Sequence, residues 1–94
     1  MMKVQCERKL GDVDGSKKID INDALEVLKY LARLTSILWN LETEEIKNVC
    51  AWNAALIDYR SKINGLVTID DALEILKKLA LLSNQIDTPE QGGE

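Results

Sequence analysis

Histidine is absent from the 94 residues, and phenylalanine with it. The first absence removes the commonest general base and the commonest transition-metal ligand. Two cysteines, Cys6 and Cys50, stand far apart with no CxxC pair. With no other thiol and no imidazole they cannot build a zinc site. They fit either an intrachain disulfide or two free thiols. No apolar run approaches the roughly 18–20 residues of a membrane span. The opening "MMKVQCERKLGD" has no long apolar region of the signal-peptide kind, so the chain reads as cytosolic or as a domain of a longer secreted protein. Basic residues are few: Lys+Arg 12 against Asp+Glu 16, a net charge of −4 without a basic stripe, which argues against nucleic acid as partner.

What is present is a repeat. "IDINDALEVLKYLARL" (19–34) returns 48 residues later as "VTIDDALEILKKLALL" (67–82), with ten of sixteen positions identical. Each copy reads as a loop running into a helix. Leu25, Leu28, Leu31, Ala32 and Leu34 fall at helical spacing, widened by Ala24 and Val27, and Leu73, Leu76, Leu79, Ala80 and Leu82 repeat them. Only Glu26, Lys29 and Arg33, with Glu74 and Lys77, mark a polar side. Such helices carry more apolar surface than one core face needs, which points to a partner. Between the copies, Thr43 followed by Glu44 and Glu45 reads as a helix start. The pattern predicts helices over 23–34, 43–55 and 71–82, with no strand beyond short loop pairings.

Ahead of the first helix, "GDVDGSKKIDIND" crowds Asp12, Asp14, Asp20 and Asp23 into twelve residues. Counted from Asp12, oxygen side chains occupy the first, third, fifth, ninth and twelfth places (Asp12, Asp14, Ser16, Asp20, Asp23), and Lys18, seventh, offers its backbone carbonyl. This is the ligand spacing of an EF-hand calcium loop. Lys17 holds the sixth place, where glycine usually allows a left-handed turn, and Asp23 stands where a longer Glu is common. Counting back twelve from Asp71 lands on Arg60, which cannot be a ligand. A second loop two residues longer would use Asp58, Asn64, the Leu66 carbonyl, Thr68 and Asp71, as a weaker site.

The first loop–helix, with Gly11 and Gly15 beside the acids, resembles a dockerin closely, and "INGLVTIDDALEILKKLALL" is similar to a dockerin's second half from Asn64 onward. Together these stretches cover a little under half the chain. The likeness is to divergent dockerins of rumen-type cellulose degraders. It implies an all-α fold: a small domain of two duplicated calcium loop–helix halves joined by a connector helix. The expected layout is a lead-in over 1–9 and a dockerin domain over 10–84. Within that domain lie a first repeat (12–34), a connector (35–57) and a second repeat (58–82), and a flexible tail follows over 85–94. The resemblance also implies a secreted, non-catalytic module that binds a cohesin domain of a scaffoldin one-to-one in the presence of calcium, anchoring its parent in a cellulosome. Carried over by position, the cohesin contacts are Ile21, Asn22, Leu28, Lys29 and Arg33 in the first copy, and Ile69, Asp70, Leu76, Lys77 and Leu81 in the second. The alternative is an EF-hand calcium sensor or buffer. That would need an entering helix, for which "MMKVQCERKL" is too short, and a Met-rich groove, whereas the only methionines are Met1 and Met2. With every clustered acid assigned to a loop, no catalytic constellation remains.

Overall fold

The fold is taken from a computed structural model that describes residues 6–88. Its elements are α1 (Ile21–Leu31), β1 (Trp39–Asn40), β2 (Glu45–Ile46), α2 (Val49–Ala55), α3 (Tyr59–Asn64) and α4 (Ile69–Leu79). The chain is mostly helical, and a two-stranded antiparallel sheet pairing Trp39 with Ile46 qualifies the all-α expectation. The two repeat helices, α1 and α4, pack against each other.

Both repeat helices start two residues earlier than the apolar pattern indicates, and the reason is a shared cap. Asp20 and Thr68 are the N-caps, each accepting a hydrogen bond from a backbone N–H two residues on. Asp23 and Asp71, three residues past each cap, reach back and accept the cap's own N–H, closing a reciprocal capping box. Both helices also end three residues early. Arg33 and Leu81 turn left-handed (φ 60° and 62°), and Leu34 and Leu82 donate back to the carbonyls of Lys29 and Lys77. This is a Schellman stop built without glycine.

The connector departs further from expectation. Glu44 is left-handed (φ 56°), and the Asn40 side chain accepts from the N–H groups of Glu42 and Thr43, so the segment expected to open a helix closes a hairpin instead. The helix begins only at Val49, where Asn48 accepts from the Ala51 N–H. A short helix not foreseen, α3, then occupies six residues of the stretch expected to be the second loop.

Val13, Val27, Leu38, Ile57, Val67 and Ile75 form the centre of the core, with Ala24 and Ala72 at the inner faces of the repeat helices. Three of the four aromatic residues gather on one side: Tyr30, Trp39 and Trp52 lie with ring centroids 5.3–5.7 Å apart. Trp52 also donates its indole N–H to the Gly65 carbonyl, tying α2 to the second loop. Cys6 and Cys50 form a disulfide that joins the lead-in to α2. Of the stretch expected to be a flexible tail, residues 85–88 are docked, and the remainder lies outside the described residues. Ile86 packs on the core, and Gln85 donates to Asp58 and accepts from the Tyr59 N–H.

Candidate metal centre

Three turns shape the first loop. Gly11 (φ 93°) is pressed so closely by Ile86 that a Cβ there would come within 2.8 Å of its Cδ1. Gly15 (φ 75°) lies under the Arg8 guanidinium, which donates to the Val13 carbonyl. Lys17 takes the left-handed conformation (φ 72°) that its loop position demands, at a steric penalty of roughly 1–2 kcal/mol. The Lys17 N–H donates to Asp12 Oδ2, the Ser16 N–H to Asp14 Oδ1, and the Asp14 N–H to Asp23 Oδ1, so the backbone wraps around its own acids.

The result gathers Asp12, Asp14 and Asp23, each offering a carboxylate oxygen within 4.8 Å of the others. Asp12 is 3% exposed, yet its Oδ1 is buried without a hydrogen-bond partner. A buried carboxylate oxygen left unpaired is costly, and a cation at this point would remove the penalty. Burial, together with the neighbouring Asp14 charge, pushes the Asp23 carboxyl up to about 6 despite N–H donors from Asp20 and Asp14. At Asp14 burial acts in the same direction, but the hydrogen bonds from Ser16 prevail and hold its carboxyl below the usual range. The donor set is all carboxylate oxygen, which suits a hard divalent ion.

The other residues read as first-site ligands take different parts. Ser16 donates its hydroxyl to the Lys18 carbonyl, linking the fifth and seventh loop places to each other. Asp20 spends an oxygen on the Asn22 N–H as the cap of α1.

Of the second set, Asp58, Thr68 and Asp71 lie against one another, the N–H groups of Asp58 and Thr68 both donating to Asp71, but their side-chain oxygens are taken by donors from the protein. Asp58 is buried as the cap of α3, accepting from Arg60 and Gln85. Asn64 is the last residue of α3, and Leu66 is exposed beyond it. Thr68 caps α4. Asp71 is fully buried and accepts from the N–H groups of Ile57, Asp58 and Thr68 and from the Ser61 hydroxyl. Among the described residues, the one carboxylate cluster with metal-binding spacing is that of the first loop.

The residues expected to meet a partner divide as follows. Ile21, Asn22 and Arg33, and Ile69 and Leu81, are exposed. Leu28 packs partly onto the core, whereas its counterpart Leu76 is 37% exposed. Lys29 and Lys77 pair with Glu26 and Glu74, and Asp70 pairs with Arg60. Leu25, Leu31 and Leu34, with Leu73, Leu79 and Leu82, extend the exposed apolar surface.

Two residues of the repeat have a role that spacing did not reveal. Glu26 accepts from the Ile37 N–H and Glu74 from the Gln85 N–H, each eleven residues downstream, while the lysine three places on grips the other oxygen. The identical "DALE" in both copies was the available signal: a glutamate kept inside a leucine-rich face holds the returning chain.

No protein-family model, curated protein or solved structure matches the chain. No helix of the described residues is long and apolar enough to cross a membrane.

Proposed function

We propose that this chain is a divergent dockerin-like module, secreted and non-catalytic, that binds calcium in its first loop and docks onto a cohesin domain of a scaffold protein. Through that contact it anchors its parent in an extracellular polysaccharide-degrading complex. The observation that carries the reading is the unpartnered Asp12 Oδ1 beside Asp14 and Asp23. That cluster lies directly ahead of a helix whose outer face exposes Ile21, Leu25 and Leu31. Calcium takes six to eight oxygen ligands with tolerant geometry, and a loop of alternating acids can supply several around one ion. Bound there, the ion supplies positive charge and no redox or acid–base chemistry. Asp12 and Asp14 hold the loop end and Asp23 the helix end, so binding ties the loop to the start of α1.

The second helix offers a matching face through Ile69, Leu73, Leu76 and Leu79. Exposed leucines in two packed helices are the kind of surface that supplies apolar anchors, with Lys29 and Lys77 at the margin for acidic partners. The disulfide is consistent with an oxidising, extracellular setting. Calorimetric titration against a panel of cohesin domains, in calcium and again with a chelator, tests the reading. One-to-one binding that the chelator abolishes is the expected result. Absence of binding across the panel, by a domain that still takes up calcium, would reject the cohesin assignment.

A further inference from the structure

The two halves superimpose in sequence at a constant offset of 48, and the offset survives in the backbone. Lys17 and Gly65 stand 48 apart and share the left-handed turn, φ 72° and 70°. Asp23 and Asp71 share the third helical position, each closing a capping box. At the same offset, Asp12 corresponds to Arg60 and Asp14 to Lys62. Where the first loop places two carboxylates, the second places two cations.

Asp71 itself is met by neutral donors, and the Arg60 cation serves its neighbours Asp58 and Asp70. The Asp71 carboxylate takes four donors from the protein: the N–H groups of Ile57, Asp58 and Thr68, and the Ser61 hydroxyl at 2.8 Å. The neighbouring Asp58 is covered by Arg60 Nε at 3.1 Å and by Gln85 Nε2 at 2.8 Å. Arg60 reaches on to Asp70 at 3.4 Å, so one guanidinium bridges the cap of α3 and the first turn of α4. All the carboxylate oxygens of Asp58 and Asp71 have protein donors, in contrast to Asp12. The stretch from Tyr59 to Asn64 is helical, so its side chains fan outward instead of converging on a point as alternate loop residues do.

We infer that the second half is held by the protein's own donors in place of a metal ion, with Ser61 and backbone N–H groups on Asp71 and with Arg60 and Gln85 on Asp58, so that the chain binds one calcium and keeps its second half ordered without any. The claim of one ion rests on the calcium reading of the first loop; the metal-free order of the second half does not. Docking through α4 would then persist where docking through α1 is lost.

The test uses the full chain, calcium alone as titrant, and amide exchange followed by NMR with and without chelator. One equivalent of calcium is expected for the wild type and none for Asp12→Asn. In chelator, the amides of Ile57, Asp58 and Thr68 should stay as protected as in calcium, while those of Asp14 and Lys17 exchange faster. Arg60→Gln should speed exchange at Ile57 and Asp58 several-fold without changing the calcium stoichiometry. A second equivalent that survives in Asp12→Asn, or loss of Ile57 and Thr68 protection on chelation, would overturn the inference and leave the first-loop reading intact. Unchanged exchange in Arg60→Gln would remove Arg60 from the role. No calcium uptake by the wild type would refute the first-loop reading and the count of one; the exchange data would still decide whether the second half holds itself.

Discussion

Asp12 shows how little of a site spacing can settle alone. Its place in an acidic alternation was legible, but its unpartnered oxygen follows from burial by the folded loop. Asp12→Asn, almost isosteric, should lower calcium affinity by at least about a hundredfold, since a carboxylate charge is lost from a three-acid set; titration calorimetry measures it. Leu81 offers a second residue-level test. It is 93% exposed and left-handed at φ 62°, so its side chain adds strain and buries almost nothing. Leu81→Gly should raise stability by about 0.5–1 kcal/mol, the relief of strain being partly offset by the freer unfolded chain, and thermal melts should shift up by a few degrees. Glu26 gives a pH dependence. Burial raises its carboxyl, but the Ile37 N–H and the Lys29 ammonium outweigh burial and hold it below the ordinary 4.5. A depressed folded value means that the unfolded chain binds protons first on acidification. The stabilisation is therefore complete above the ordinary value and fades as pH falls through the folded one. The melting-temperature gap between the wild type and Glu26→Gln should narrow below about pH 4.5.

At the scale of elements, the repeat helices were visible from leucine spacing, while their ends were not. Asp23 and Asp71 looked like first residues because an acid suits a helix N-terminus. They sit one turn inside, since Asp20 and Thr68 are themselves competent caps. The hairpin and α3 depend on single side chains that no periodicity marks: Asn40 capturing two turn amides, and Asp58 capping six residues. The disulfide acts at this scale too. It fixes the lead-in whose Arg8 braces the first loop, and its sequence separation of 44 restrains a long segment of the unfolded chain. Replacing both Cys6 and Cys50 by Ser should lower unfolding free energy by about 2–4 kcal/mol in urea titrations. Calcium affinity should fall with it, because the loop would lose its brace.

For the whole molecule, packing of α1 against α4 divides the leucines between core and surface, and that division is not symmetric. Leu28 contacts the core while Leu76 is more exposed. Leu28→Ala should therefore destabilise by about 1–2 kcal/mol, less than a fully buried leucine. Leu76→Ala, at a site 37% exposed, should cost less, about 1 kcal/mol or under, and weaken partner binding as well, which denaturation paired with calorimetry separates. The amino-acid sequence by itself determined the duplication, the acidic loop, the two amphipathic helices and the exclusion of imidazole chemistry, because these rest on residue identity and on periods that local geometry imposes. Tertiary structure decided which acids converge, which leucines stay exposed, that Cys6 and Cys50 pair, and that residues 84–88 close over the second half. The last three need groups far apart in the chain to meet, and the acids need the left-handed turns at Gly11, Gly15 and Lys17. Whether a buried carboxylate oxygen is left without a donor, as Asp12 Oδ1 is, or is reached by a distant amide, as Asp58 is by Gln85, is set by the packing around it.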